Sequence, residues 1–213
     1  MPSSAEILAG LAAIANQGLW IAFAWHLILG TALYALTRGW CPSRRLAGVL
    51  IAPLLVSVSA FAFAFGNPFN GAVFAGGAAA LVALALVADE RPVRHGPRWS
   101  WWGGLAMLAF GWVYPHFLSA HPITYLYAAP VGLVPCPTLS IAIGLALLSG
   151  GLGSRAWTLT LAGLGLFYGL FGVLRLGVLL DLGLVAGATI LAVVAVHPGR
   201  ATTPVAHPAH PAS

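Results

Sequence analysis

The sequence predicts an all-α, polytopic transmembrane helix bundle of about seven spans, N-terminus out and C-terminus in, and three observations predict it. Apolar stretches recur along the chain at the ~20-residue length that a helix rising ~1.5 Å per residue needs to cross a hydrocarbon core of ~30 Å. The composition is 60% hydrophobic and only 6% charged, which leaves too little polar surface to coat a water-soluble globule. Eight of the nine arginines fall on one side of the bundle so drawn, and the positive-inside rule makes that side cytoplasmic.

The elements follow in order. Residues 1–17 form an N-terminal extracytoplasmic helix: Ser3 and Glu6 have the spacing of a capping box, and an Ala-rich apolar run follows. This segment carries no Lys or Arg and so lacks the basic start of a cleavable signal, and it is expected to be retained. It either lies in the interface or extends the first span. The membrane domain is 18–196. Its first span is 18–37, flanked by Trp20 and Trp25, and the second is 46–65, after the loop that carries Arg38, Arg44 and Arg45. Gly66, Asn67, Pro68, Phe69 and Asn70 make a tight turn, since Gly, Asn and Pro supply the backbone angles of a reversal. The third span is 71–88. A polar loop over 89–99 leads to the fourth, 100–118, opened by Trp99, Trp101 and Trp102, aromatics of the kind that mark a membrane interface.

A short loop rich in Tyr, His and Pro precedes the fifth span, 129–149, which Pro135, Cys136 and Pro137 interrupt. The sixth and seventh spans, 156–174 and 178–196, are separated by a reversal near Arg175. Six spans would leave a long apolar stretch with one crossing and would move Arg200 to the outside, so seven is preferred. The tail 197–213, rich in His and Pro, is expected to be disordered and cytoplasmic. Spaced glycines such as Gly165 with Gly169 and Gly183 with Gly187 give small faces for close helix packing. No internal repeat suggests inverted halves.

The formal net charge of +5 is carried by arginines in loops at the membrane edges, an orientation signal and not a nucleic-acid surface. Two cysteines, Cys41 and Cys136, are too few for a disulfide framework and fall on opposite faces. No phosphate-binding loop, Ser-His-Asp set, His-Glu-x-x-His or Cys-x-x-Cys is present, which argues against ATP-driven transport and soluble-type catalysis. Whether the chain is an enzyme stays open, with the weight on no.

The residues that carry candidate chemistry are few. Two prolines one residue apart remove two donors and break regular helix at Pro135 and Pro137, freeing carbonyls that lipid cannot satisfy. The break is therefore expected to be buried or to line a cavity, with Pro135, Pro137, Thr138, Tyr114 and Tyr125 along a substrate path. A thiol at such a break is an inert kink residue, a soft-metal or substrate contact, or a redox group. Cys136, His26, His116 and His121 are the candidate metal ligands. His116 and His121 flank the outer end of the fourth span, where anchoring a loop is the alternative role. His26 lies inside the first span, roughly 12 Å from its outer edge, and Cys136 roughly 10 Å from its own, so the two can meet; a hydrogen bond to a neighbouring helix explains His26 equally well. Asp181, beside Arg175, is expected to form a snorkelling ion pair at the outer interface, with a proton-coupling carboxylate as the lesser alternative. Asn67-Pro68 faintly resembles the cap of a water channel, but only one copy is present. The tail residues His197, His207 and His210 alternate with proline and are expected to be incidental.

The stretches Trp112-Val113-Tyr114-Pro115, Val131-Gly132-Leu133-Val134-Pro135-Cys136-Pro137-Thr138 and Leu176-Gly177-Val178-Leu179-Leu180-Asp181 resemble a family of uncharacterised bacterial multi-pass membrane proteins marked by a Pro-Cys-Pro-Thr motif. The resemblance is most specific over about residues 111–149. It implies a bacterial inner-membrane location and a shared broken helix; it names no substrate. Two classes of function stand against each other. One is a small-solute or metal-ion transporter or channel built around Cys136. The other is a non-transporting accessory or scaffold subunit, acting as a homo-oligomer or with a membrane-protein partner. A third reading is a redox component holding haem between His26 and another histidine. The lipid bilayer is the expected surrounding in all three, nucleic acid is an expected partner in none, and no cofactor is specified.

Overall fold

The computed structural model describes residues 3–93 and 96–197. The fold is all-α, and among the described residues the only β feature is an isolated bridge between Ser43 and Pro92. In chain order the helices are α1 (Ser4–Gln17), α2 (Leu19–Thr37), α3 (Arg44–Ala64), α4 (Pro68–Leu86), α5 (Arg98–Val113), α6 (Tyr125–Ala128), α7 (Pro135–Leu148), α8 (Arg155–Leu176) and α9 (Leu182–Val196). Among the described residues, five segments are long and apolar enough to cross a membrane: α2, α3, α4, α8, and 179–196, which contains α9. Their outward faces carry large apolar side chains such as Leu27, Ile28, Leu50, Val56 and Phe63, a surface suited to lipid. The expected disorder of the tail, with His207 and His210, concerns residues beyond 197 and lies outside the described residues.

The helices depart from the expected spans in one region. α5 ends at Val113 after 16 residues and α7 has 14, lengths of ~24 and ~21 Å against a core of ~30 Å. Residues 129–134 ahead of α7 are not helical. This is tolerable only where protein surrounds the chain, and α7 is the centre of the bundle: Leu139, Ile141, Ala142, Ile143, Ala146 and Leu147 are all fully buried. A helix that is apolar on every side is an interior helix. α5, α8 and α9 pack directly around it, with α3 alongside.

Glycine sets the closest approach. A Cβ built on Gly144 of α7 would lie 2.9 Å from the Gly104 carbonyl oxygen of α5, and one on Gly104 would lie 3.0 Å from the Gly144 oxygen. The two backbones touch, and no side chain fits between them. Gly165 meets Ile143 and Ala188, and Gly187 meets Met107, so the spaced glycines pack helices as small-residue faces in lipid do.

The bundle has two chemically different ends. At one, Arg44 N–H donates to the Arg91 carbonyl and Val93 N–H to the Pro42 carbonyl, which joins the α2–α3 and α4–α5 loops. Salt bridges Arg44–Asp89 (3.0 Å) and Arg45–Glu90 (2.7 Å) cross the same join; being partly solvated, each contributes at most ~1 kcal/mol. Gly96 N–H donates to the Leu148 carbonyl, and Gly153 packs on the Arg44 guanidinium, so the α7–α8 turn shares this end. The other end holds α1, the 115–119 turn and the α8–α9 reversal.

α1 opens with the capping box expected at Ser3 and Glu6. The Ser3 backbone N–H donates to the Glu6 carboxylate at 2.7 Å and the Ser3 hydroxyl at 2.8 Å. These bonds, the backbone one first, hold the Glu6 carboxyl below the usual carboxylate range. A depressed value means that the stabilisation is present at neutral pH and is lost as pH falls through it. The protection factors of the first-turn amides of α1, exchange rates corrected for the intrinsic rate at each pH, should therefore fall in acid in the wild type and lose that pH dependence in Glu6→Gln. Separately, Gly144→Leu should destabilise the bundle by about 1–3 kcal/mol through overpacking at the α5–α7 contact, measured by denaturant unfolding in detergent micelles.

Candidate functional site

The site is built at the start of α7. Pro135 occupies the first turn of that helix and Pro137 follows two residues on. The prolines therefore begin a helix; they do not break one. The physical reason is that a helix N-terminus leaves four N–H groups without partners, a costly state inside a bundle, and proline at these positions has none to leave. The carbonyls expected to be bare are also engaged. Thr138 Oγ1 donates to the Val134 carbonyl at 2.7 Å and accepts from Gly132 N–H at 2.8 Å. Ser140 Oγ donates to the Cys136 carbonyl, and the Pro130 carbonyl accepts from Val134 N–H. Thr138 thus folds the 129–134 connector back on its own helix. Gly132, at φ +75°, sits against the indole of Trp25, with no room for a Cβ.

This start presents the Cys136 thiol sideways. Cys136 is half-buried between the fully buried Pro135 and Pro137, and its open side faces a cavity of about 30 Å³ lined also by Asp181, Asn70, Tyr168, Phe117 and Leu11. A bound water needs ~10–15 Å³ on the same measure, so the space holds about two. Asp181 is 2% exposed. The fully buried Tyr114 hydroxyl donates to its Oδ1 at 2.7 Å, and Asp181 lines the same cavity as Cys136. His116 packs edge-on against Phe117 at 4.2 Å, and its ring centroid lies 6.4 Å from that of Tyr114. Across the cavity Tyr168 Oη donates to Asn70 Oδ1 at 3.1 Å.

Asp181 is not the snorkelling partner of Arg175. The α8–α9 reversal turns at Gly177, at φ +72°, with Val178 N–H bonded to the Gly172 carbonyl. This directs the carboxylate back against α8, onto Gly172. A methyl group there would coincide with Asp181 Oδ2, so residue 172 must be glycine for the acid to lie inside. Arg175 Nη1 instead donates to Ser4 Oγ at 2.8 Å, and Ser4 Oγ donates to the Arg175 carbonyl.

The other candidates fall elsewhere. The His26 ring nitrogens lie 2.9 Å from the Ala22 carbonyl oxygen and 3.0 Å from that of Trp112, and its ring packs on the Trp112 indole; it joins α2 to α5. His121 accepts from Ile123 N–H and caps the short 3-10 turn Pro122–Thr124. Tyr125 Oη accepts from Leu118 N–H and donates to the Leu118 carbonyl, clamping the loop between α5 and α6. Among the described residues no three His, Cys, Asp or Glu side chains converge as a metal-holding group. Of the sequence candidates, the structure brings Cys136, Tyr114 and His116 together, along with Pro135, Pro137 and Thr138. Gly172, Asn70 and Tyr168 carried no separate signal, because each looks like an ordinary packing or turn residue in sequence.

Comparison of the chain with protein-family models, curated proteins and solved structures gives no match.

Two substitutions test the geometry. Gly172→Ala should expel the Asp181 carboxylate or strain α8, at about 1–3 kcal/mol. Tyr114→Phe removes the donor to a buried carboxylate and should cost about 1–3 kcal/mol. Unfolding in detergent reads both, and in a double variant the two costs should fall short of their sum, because both act through Asp181.

Proposed function

We propose that this chain is a seven-crossing integral membrane protein of the bacterial inner membrane that binds a small, soft metal cation at Cys136 and Asp181 and passes it along the bundle. One observation carries the reading: a carboxylate and a thiol lie together in the membrane domain, beside a cavity with room for about two waters. Among the described residues no salt bridge reaches Asp181. Ionisable groups at membrane depth are costly and mark functional pathways.

The size of the cavity favours an ion over an organic solute. Thiolate suits soft cations, and an incomplete ligand set suits passage, which needs binding weak enough to release. His116, at the outer mouth, is the nearest imidazole. The orientation rests on the arginines: Arg38, Arg44, Arg45, Arg91, Arg98 and Arg155 cluster at the end where the three loops interlock, and Arg175 lies at the other. By the positive-inside rule the cavity end is extracytoplasmic. The resemblance around Pro135-Cys136-Pro137-Thr138 supports the bacterial inner membrane.

A second reading, an accessory subunit or homo-oligomer, has one observation in its favour. α4 turns Ala72, Ala75, Gly76 and Ala79 outward, a small-residue face of the kind that packs helices in lipid.

Silver(I), a soft monovalent ion, is the probe. Wild-type protein in proteoliposomes should bind and admit it, and Cys136→Ala and Asp181→Asn should each lose roughly tenfold, the equivalent of one charge-assisted contact. Equal binding and flux in all three would overturn the cation reading.

A further inference from the structure

The cavity at Cys136 and Asp181 has a removable cover. Its walls toward the middle of the bundle are the packed helices α7 and α8. Its outer wall includes Ile7 and Leu11 of α1, Phe117 of the 115–119 turn, and Leu176 and Val178 of the α8–α9 reversal. α1 thus forms part of the wall on the side away from the central helices.

α1 is built differently from the helices beneath it. Ile7, Leu11 and Ile14, at i, i+4 and i+7, form one apolar stripe directed at the bundle, while Ala5, Glu6, Ala9, Gly10, Asn16 and Gln17 are exposed. The outward face offers no large apolar side chain to lipid, so the docked position is the resting one. At its end α1 meets α2 through the single residue Gly18, which seats on Leu133 of the connector leading to Cys136: a Cβ on Gly18 would lie 2.6 Å from Leu133 Cδ1. The polar ties that hold α1 down are at its two ends. Ser4 exchanges hydrogen bonds with Arg175, and Asn16 donates to the Phe117 carbonyl at 2.9 Å and accepts from Ser119 N–H at 2.9 Å. Phe117, a cavity-lining residue, is held at φ +79°, a left-handed conformation unfavourable for a bulky side chain. The tie from Asn16 thus holds both the cover and a strained turn in place.

We propose that α1 is a lid, pivoting at Gly18 to admit a small cation from the end opposite the arginine-rich loops to the Cys136 and Asp181 cavity. This rests on the reading of that cavity as the ligand site. Opening gives up the packing of Ile7, Leu11 and Ile14 against Leu133 and Val134 and a few exposed hydrogen bonds, fewer contacts than the central helices would lose. α2 continues below Gly18 with His26 fastened to α5, and stays in place.

The test uses the full chain in nanodiscs with Cys41→Ser, which leaves Cys136 as its one thiol. A water-soluble thiosulfonate reagent, too large for a space of about 30 Å³, should modify Cys136 slowly. Ser4→Ala with Asn16→Ala should raise that rate by roughly tenfold, since each loses exposed hydrogen bonds. Hydrogen exchange on the unmutated chain should show the α1 amides opening as a unit while those of α2 stay protected. Equal modification rates with and without the latch substitutions, or α1 and α2 exchanging together, would overturn the lid. Neither readout uses a metal, so this failure is distinct from a failure of silver binding.

Discussion

A helix that begins inside the bundle is the constraint on which the rest of this structure depends. Lipid offers no hydrogen bonds, so the N–H and C=O groups around residues 129–138 must be met by protein. Pro135 and Pro137 remove two donors, and Thr138 satisfies the Gly132 N–H and the Val134 carbonyl at once. That local solution demands cover on every side, which the backbone contact of Gly104 with Gly144 and the close packing of α8 and α9 supply. Cys136 is then the residue left facing open space, because its neighbours on both sides are used to pack.

The same logic places the acid. Asp181 stands where the chain reverses between two apolar helices, and the electrostatic default at such a reversal is an outward carboxylate near an arginine. Two small details invert this. Gly177 adopts the left-handed angle that turns the chain tightly, and Gly172 leaves room for the carboxylate against α8. Tyr114 closes the arrangement with a 2.7 Å hydrogen bond from the end of α5. Three helices thereby meet at one acid, so the helix packing and the site are a single construction.

α1 packs as a separate layer through Leu11 and Ile14, which join Ala22, Ala128, Leu133 and Val134 in a second, smaller apolar cluster. Its Ile7 and Leu11 line the cavity, and its ends are tied to Arg175 and to the 115–119 turn. The two ends of the molecule are accordingly asymmetric. One is riveted by arginine salt bridges and loop-to-loop backbone bonds; the other is closed by a short amphipathic helix on a single glycine joint.

The amino-acid sequence determined the helical class, the order of the apolar segments, the capping box of α1 and the separation of the arginines, because these depend on period, length and charge, which are local. It also marked Cys136 through its flanking prolines and Tyr114 through its place beside the outer loop. Only the tertiary structure decided that the prolines start a helix, that His26 fastens α2 to α5, and that Asp181 turns inward to join Cys136. Each of these is a choice between partners equally available in sequence, settled by which backbone comes close enough. Contact of that kind is set by glycines on other helices, tens of residues away, and no local pattern records it.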